Sequence, residues 1–462
     1  MTTELQARPV RRRGGAGWLL IATTAAGVAN YGYALAMTHG LSPAQYAIFA
    51  AGQALLMVRA TISSAAISWV LAREVSIAGE DDRRRVVVVS FAFWSNLALG
   101  AVLTAVVAIG VLTFGSAADA LVLTAASVIL SFGSTGVGYL QGIGRIGAIA
   151  RLLTVEAVVK ALAGAVFVFA AGWQSAGALA GFAVGSLVLL LPVLGLRHMV
   201  RRPAWGGAEA ELLRAALRQT RLQASVAVLS ATDVIMAAVL GSGTAAGPYQ
   251  AASALGRVPL FASNAVSTAA FAQLSADGSA TRKAAALRSY LLVSALMAIA
   301  LVTLPTPVQQ LLLPDSFAAV GRWLGWAAVL GVMVGLFNLA VTFLQAGDAR
   351  GSTAITVAGL AVAFVAVVAV SGAARGVSGV AVGAAIASVP AVALLLLMPS
   401  IRPGLRHLAT TRDVAYDIGL LGGIAAALVL VRHPAAWLGV AALAGAVVLL
   451  RAFPDLAPRR RR

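Results

Sequence analysis

Five ionisable side chains, Arg59, Glu156, Lys160, Asp233 and Arg257, lie inside runs of sequence that are otherwise apolar or small. At the centre of a lipid-embedded helix each such charge costs roughly 2.5 to 3.5 kcal/mol on insertion scales, so each must face a partner or a wet cavity. The two arginines suit an anion. A diphosphate offers planar sets of oxygens that a guanidinium grips through two parallel N–H donors, which makes Arg59 and Arg257 candidate phosphate ligands. Asn30, Gln53, Gln250 and Asn264 are amides that offer both donors and acceptors to the hydroxyl groups of a ligand beside them. The competing reading is that each arginine staples its own bundle to helix-end carbonyls.

Glu156 and Lys160 are four positions apart with the acid first, the favourable order for a pair one helical turn apart. They are either a self-neutralising structural pair or a coupling or substrate-contact site. Asp233 has no cation within a turn of its own helix. Its partner is Arg257 on the following span, or else it is protonated, which would give it a proton-linked role. Pro259 must interrupt the hydrogen-bond ladder just after Arg257, as a hinge or as a static kink. With no cysteine in the chain, a disulfide, a thiolate metal site and a cysteine nucleophile are excluded, and no metal or cofactor is expected.

The elements that carry these residues follow from composition. Of 462 residues, 60% are hydrophobic and only 11% charged, against about 25% charged in an ordinary soluble domain. Apolar windows reach the ~20 residues a helix needs to cross the hydrocarbon. Fourteen spans are predicted, near 17–38, 44–71, 86–113, 119–142, 150–171, 175–195, 219–240, 247–274, 286–311, 319–345, 352–371, 377–398, 415–431 and 435–452. The first, preceded by Arg8 and Arg11 to Arg13, is too long for a signal-peptide core and is expected to be an uncleaved span. The fold class is thus an all-α polytopic membrane protein.

Charge sets the orientation. If both termini are cytoplasmic, 28 of the 34 basic residues fall on the cytoplasmic side and three, Arg322, Arg375 and Arg432, on the other. The net charge of +18 is scattered among apolar segments rather than gathered on one face, which argues against nucleic acid. The expected location is the cytoplasmic membrane, with lipid headgroups as partners of the basic linker. Trp18, Trp173 and Trp437 are expected as interfacial anchors.

The chain repeats itself. A shift of 203 places Asn30 on Asp233, Gly40 on Gly243 and Tyr46 on Tyr249; a shift of 204 places Leu140-Gln141 on Leu344-Gln345 and Gly147 on Gly351. Six spans separate the copies, so both enter the membrane in the same direction, related by a pseudo-two-fold axis along its normal with a site between them. The expected organisation is a basic N-terminus (1–16), an N-lobe of six spans (17–195), a basic amphipathic linker (196–218), a C-lobe of six (219–398), two further spans with their preceding loop (399–453) and a basic tail (454–462). Arg59 and Arg257, on the related spans two and eight, would both border the central cavity.

The motif Asn30, Gly40-Leu-Ser-Pro-Ala-Gln-Tyr46-Ala-Ile-Phe49 and Leu71-Ala-Arg-Glu74, with Asp233, Gly247-Pro-Tyr249-Gln-Ala-Ala252 and Leu344-Gln-Ala-Gly347, resembles the polysaccharide flippases of the multidrug/oligosaccharidyl-lipid/polysaccharide (MOP) exporter superfamily. The resemblance spans roughly residues 17 to 398 and implies two six-helix lobes, alternating access and a lipid-linked saccharide as substrate. Fourteen spans also look like the lipid II flippases of that superfamily. Such a role implies a polysaccharide polymerase or glycosyltransferases as partners, and no enzymatic activity. The alternatives are a multidrug exporter of the same superfamily, a noncatalytic scaffold, and a membrane-embedded glycosyltransferase or polymerase in cell-envelope synthesis. The last would need a catalytic base and a large external loop, and the sequence offers neither.

Overall fold

A computed structural model describes residues 29–79, 81–202, 206–241, 243–276, 278–347, 351–410 and 412–453. The expected N-terminal segment 1–16, the first part of span one and the tail 454–462 lie outside them. Among the described residues every regular element is a helix. Helix α1 covers 29–40. Span two is α2 (Pro43–Ser63), a π-helical turn (Ser64–Ser68) and α3 (Trp69–Ala78). Then follow α4 (Asp82–Leu112), α5 (Ala117–Gly142), α6 (Ile146–Ala165, continued as a π turn to Ala170), α7 (Gln174–Leu187) and the short α8 (Leu191–Gly195).

The second half comprises α9 (Gly207–Leu240), α10 (Gly243–Gly256), α11 (Val258–Ala276), α12 (Ala280–Val302), α13 (Thr306–Leu312), α14 (Gly321–Ala346) and α15 (Gly351–Leu396). The amphipathic α16 (Arg402–Ala409) leads to α17 (Arg412–Leu430) and α18 (Pro434–Ala452). Eleven of these helices are long and apolar enough to cross a membrane alone. One of them, α15, is a pair folded back at Gly376, whose φ of 58° ends one helix and starts the next. With α10–α11 as one broken span, the described residues account for thirteen of the fourteen expected spans, and α1 falls at the end of the first, whose earlier part lies outside them.

Local chemistry explains the boundaries. Ser42 starts α2 with a capping box closed by Gln45, and Ser116 starts α5 with one closed by Asp119. Asp81 caps α4 by accepting from the backbone of Arg83 and Arg84. Pro259 has no N–H to offer the ladder, and the helix breaks two residues before it, at Arg257. The expected linker 196–218 differs from expectation: from Gly207 it is the first part of α9 and continues the seventh span without a break. Trp437, expected as an anchor at the interface, is 4% exposed and packed inside the bundle.

The repeat is sharper in three dimensions than in the sequence. α5 and α14 have the same length, 26 residues, and their first and last residues are each 204 positions apart. The turns that close the last hairpin of each lobe use left-handed glycines, Gly172 and Gly376, at the same spacing. Within the N-lobe α5 packs on α4, α3 and α7; within the C-lobe α14 packs on α12, α11, α10 and α15. The lobes meet along α2, which packs on α9 and α10, with Ala51 and Ala54 against Ala231 and Val234. Small residues let helix axes close without loss of packing: a β-carbon on Gly331 of α14 would lie 1.7 Å from the carbonyl of Gly256 on α10.

Candidate functional site

In the C-lobe the break between α10 and α11 presents Arg257 to α9. Its Nη2 donates to Asp233 Oδ1 at 2.6 Å, and Oδ2 accepts from Tyr249 Oη (2.9 Å) and Ser253 Oγ (2.8 Å). The pairing expected between Asp233 and Arg257 is present. The two ends of the pair see different surroundings: the Asp233 side chain is 0% exposed and that of Arg257 22%. Gln250, beside Tyr249, donates from Nε2 to the carbonyl of Val234, and its Oε1 is buried without a partner.

The equivalent place in the N-lobe is built differently. Asn30, the repeat partner of Asp233, accepts a hydrogen bond from Lys160 of α6. Lys160 also meets Glu156 at 3.3 Å and lies over the Phe182 ring, 4.8 Å from its centre. Gly181 and Gly185 of α7 make room for it, since a β-carbon on Gly185 would come within 2.7 Å of the Lys160 Cβ. The i,i+4 pair was legible in the sequence. Its third member, Asn30, lies 130 positions away and was not.

Arg59 departs from expectation. It does not border a space between the lobes but is 2% exposed within the N-lobe, where its Nε donates to Ser127 and its Nη2 to Ser131, both on α5. Thr104 of α4 hydrogen-bonds Ser127, and Gly100 leaves room for the Ser131 side chain that accepts from Arg59. Nη1 has no partner and no carboxylate pairs with Arg59 among the described residues. The repeat gives the reason for the difference: at the shift of 203 that aligns Tyr46 with Tyr249, Arg59 overlies Ala262 and Arg257 overlies Ala54, so the arginines are on related helices but at different heights and faces. A groove of about 380 Å³ between α4 and α5, with Leu97, Gly100, Thr104, Val128 and Ser131 in its walls, runs beside this cluster.

The remaining amides do not converge on one point. Gln53 is half-buried on α2, and Asn264 is exposed on α11, where it accepts from Asn338 of α14. Asn338 also donates to Ser263, tying α14 to α11. At the end of the bundle that carries Tyr46 the lobes are in contact. The Tyr46 ring meets Phe317 edge-on at 5.3 Å, His39 Nε2 is 3.1 Å from the carbonyl of Leu312, and a β-carbon on Gly247 would be 2.2 Å from the carbonyl oxygen of Pro43.

An ion network that the sequence reading missed ties the last two spans to the C-lobe. Arg288 of α12 bridges Asp417 (2.6 Å) and Asp413 (2.8 Å) of α17, and Arg451 of α18 bridges the same two carboxylates at 3.2 and 2.8 Å. The signal was there: Asp413 and Asp417 are one turn apart at the start of an apolar helix.

No protein-family model matches the chain, and no curated protein matches it significantly in sequence. Solved structures do match. The lipid II flippase MurJ in an inward closed conformation superposes over 95% of this chain and 99% of its own, with 15% identity and a TM-score of 0.72. An inward-facing multidrug resistance MATE family transporter of the MOP superfamily superposes over 83% of this chain and 96% of its own, with 17% identity and a TM-score of 0.65. An outward-facing one covers 86% and 96%, with 18% identity and a TM-score of 0.56. The chain therefore has the all-helical fold of MOP-superfamily transporters.

Proposed function

We propose that this protein is a flippase that carries a lipid-linked saccharide, held through a polyprenyl diphosphate, across the cytoplasmic membrane by alternating access, with both termini cytoplasmic. The observation that carries this reading is the state of the two membrane-embedded arginines. Arg257 is paired yet partly open at the broken span, and Arg59 is a buried cation with hydroxyl partners only. Holding a cation in the bundle without a counter-ion costs stability that a purely structural role would not repay, and an anionic cargo gives that cost a purpose. In the closed state Arg59 is covered, so it meets the cargo only after the N-lobe helices around α4 and α5 move.

The test is the accumulation of lipid-linked saccharide on the cytoplasmic leaflet after deletion of the protein, with rescue by wild-type, Arg59→Gln and Arg257→Gln forms. Accumulation rescued by the wild type and by neither variant supports the reading; rescue by both variants removes the arginines from it. The second reading, multidrug export, draws on the likeness to MATE transporters and on the carboxylates Asp233 and Glu156, and predicts instead no accumulation and greater sensitivity to cationic drugs.

A further inference from the structure

The contacts of Asp233 and Arg257 define an exclusive pairing. Arg257 is the only cation that Asp233 meets among the described residues, at 2.6 Å, and the same guanidinium is the group open to an incoming anion. Exposure is one-sided, 22% for the arginine side chain and none for the carboxylate, so a ligand can reach the cation but not its partner. A phosphate that grips the guanidinium fork with two oxygens needs the N–H donors facing it, and Arg257 must turn away from Asp233 to provide them.

Resting on the reading that the site takes a phosphate-bearing lipid, we propose that the substrate's phosphate displaces Asp233 from Arg257 and that Asp233 then takes up one proton from water, so that each substrate bound brings one proton into the C-lobe. Once Arg257 has turned, the carboxylate keeps only the hydroxyls of Tyr249 and Ser253. A buried carboxylate stripped of its cation neutralises rather than bear the cost of an isolated buried charge. The balance is simple: Asp233 changes from carboxylate to carboxylic acid, the diphosphate keeps its charge, and the proton offsets the single negative charge of the phosphate group that Arg257 holds. The new O–H needs an acceptor, and the buried, unpartnered Oε1 of Gln250 lies in the same wall. Release on the other side runs the exchange backwards. Arg257 returns to Asp233 and the proton leaves with the substrate.

No other charged group on the packed elements pairs with Asp233 among the described residues: Glu74 of α3 pairs with Arg84, and Arg73 beside it is exposed. Tyr249 of α10 and Arg257 at the break after it face Asp233, and Tyr46 of α2 is within electrostatic reach of Arg257. Arg59 of α2 is turned to α5. The only charged residues of α14 and α15 are Arg322, one residue into its helix, and Arg375, at the hairpin turn. Asp315, in the turn that packs on α10, is exposed.

The experiment is calorimetric titration of the full-length protein in detergent with a short isoprenyl diphosphate bearing one N-acetylglucosamine, a probe whose two phosphates each carry a single charge across the neutral range. Binding is measured in buffers of different ionisation enthalpy and as a function of pH. Wild type is expected to take up one proton per probe and to tighten about tenfold for each unit of pH lowered. Asp233→Asn is expected to bind at least as tightly, with no proton uptake and no pH dependence. Binding by the wild type without proton uptake overturns the proposal and leaves the flippase reading standing, and this arm stands even if Asp233→Asn fails to fold. An equal uptake by Asp233→Asn also overturns it. No binding by either form, with Asp233→Asn eluting as the wild type does, overturns the reading of a diphosphate site and the proposal with it.

Discussion

Asn30 and Asp233 occupy equivalent positions in the two repeats, and each is met by a cation from another helix, Lys160 in the N-lobe and Arg257 in the C-lobe. The neutral amide needs no counter-charge, and its lysine brings its own in Glu156; the carboxylate depends on Arg257 alone. Asymmetric burial of the Asp233–Arg257 pair makes the two single substitutions unequal. Arg257→Gln leaves a carboxylate with no exposure and no cation, and breaking a buried pair in this way costs about 3 to 5 kcal/mol. Asp233→Asn keeps an acceptor for Tyr249 and Ser253 and leaves a guanidinium that reaches the surface, for a cost of about 1 to 2 kcal/mol. Thermal unfolding of the two variants in the same detergent should order them that way, and a lower melting temperature for Asp233→Asn would show the burial asymmetry to be without consequence.

Arg59 should behave in the opposite sense. Its partners are two serine hydroxyls, with one guanidinium nitrogen unsatisfied. Replacing a poorly compensated buried ion by an apolar side chain of similar length is commonly neutral or stabilising by about 1 to 4 kcal/mol. Arg59→Met is therefore expected to match or exceed the wild-type melting temperature while losing at least tenfold in saccharide export. A sharp fall in melting temperature would make Arg59 a structural staple between α2 and α5.

Most of the fold was legible because lipid imposes one strong requirement, a long apolar helix, and because two short motif matches report repetition. The α15 hairpin followed from the breaks around Gly376, and the α10–α11 interruption from Pro259. The site was less legible. Spacing within one helix predicted Glu156–Lys160, and a shared depth on neighbouring spans suggested Asp233–Arg257. Helix rotation is a different matter: Ser127, Ser131 and Thr135 make a polar stripe on α5, but nothing in α2 says that Arg59 turns to it, and nothing local connects Asn30 to Lys160.

The square of Arg288, Asp413, Asp417 and Arg451 predicts how the last two spans are held. α17 and α18 bury little of themselves in the bundle, so ionic contacts at the arginine-rich end carry much of their docking to α12. Arg288→Ala leaves Asp413 and Asp417 to share Arg451. Hydrogen exchange of the first turns of α17 is expected to rise while α14, buried at the centre of the C-lobe, stays unchanged. Unaltered exchange in α17 would mean that apolar packing of Leu292 and Val293 against Val448 and Ala452 suffices.

Gly247 and Pro43 mark where the lobes close at the Tyr46 end. The backbone of α10 comes so near that of α2 that any side chain at 247 collides with the Pro43 carbonyl, which is main chain and cannot swing aside. Gly247→Val must hold the two helix starts apart and bias the protein away from this closed arrangement. The chain has no cysteine, so spin labels attached at Ala44→Cys and Thr244→Cys report this separation without background. The expected result is a shift of the distance distribution to longer values in Gly247→Val, with no shift in Gly325→Val, since a β-carbon at Gly325 meets nothing within 4 Å. If both variants keep the wild-type distribution, the contact yields by local adjustment and does not set the position of the lobes. A shift confined to Gly247→Val, accompanied by loss of export, would identify this contact as one that must re-form in every transport cycle.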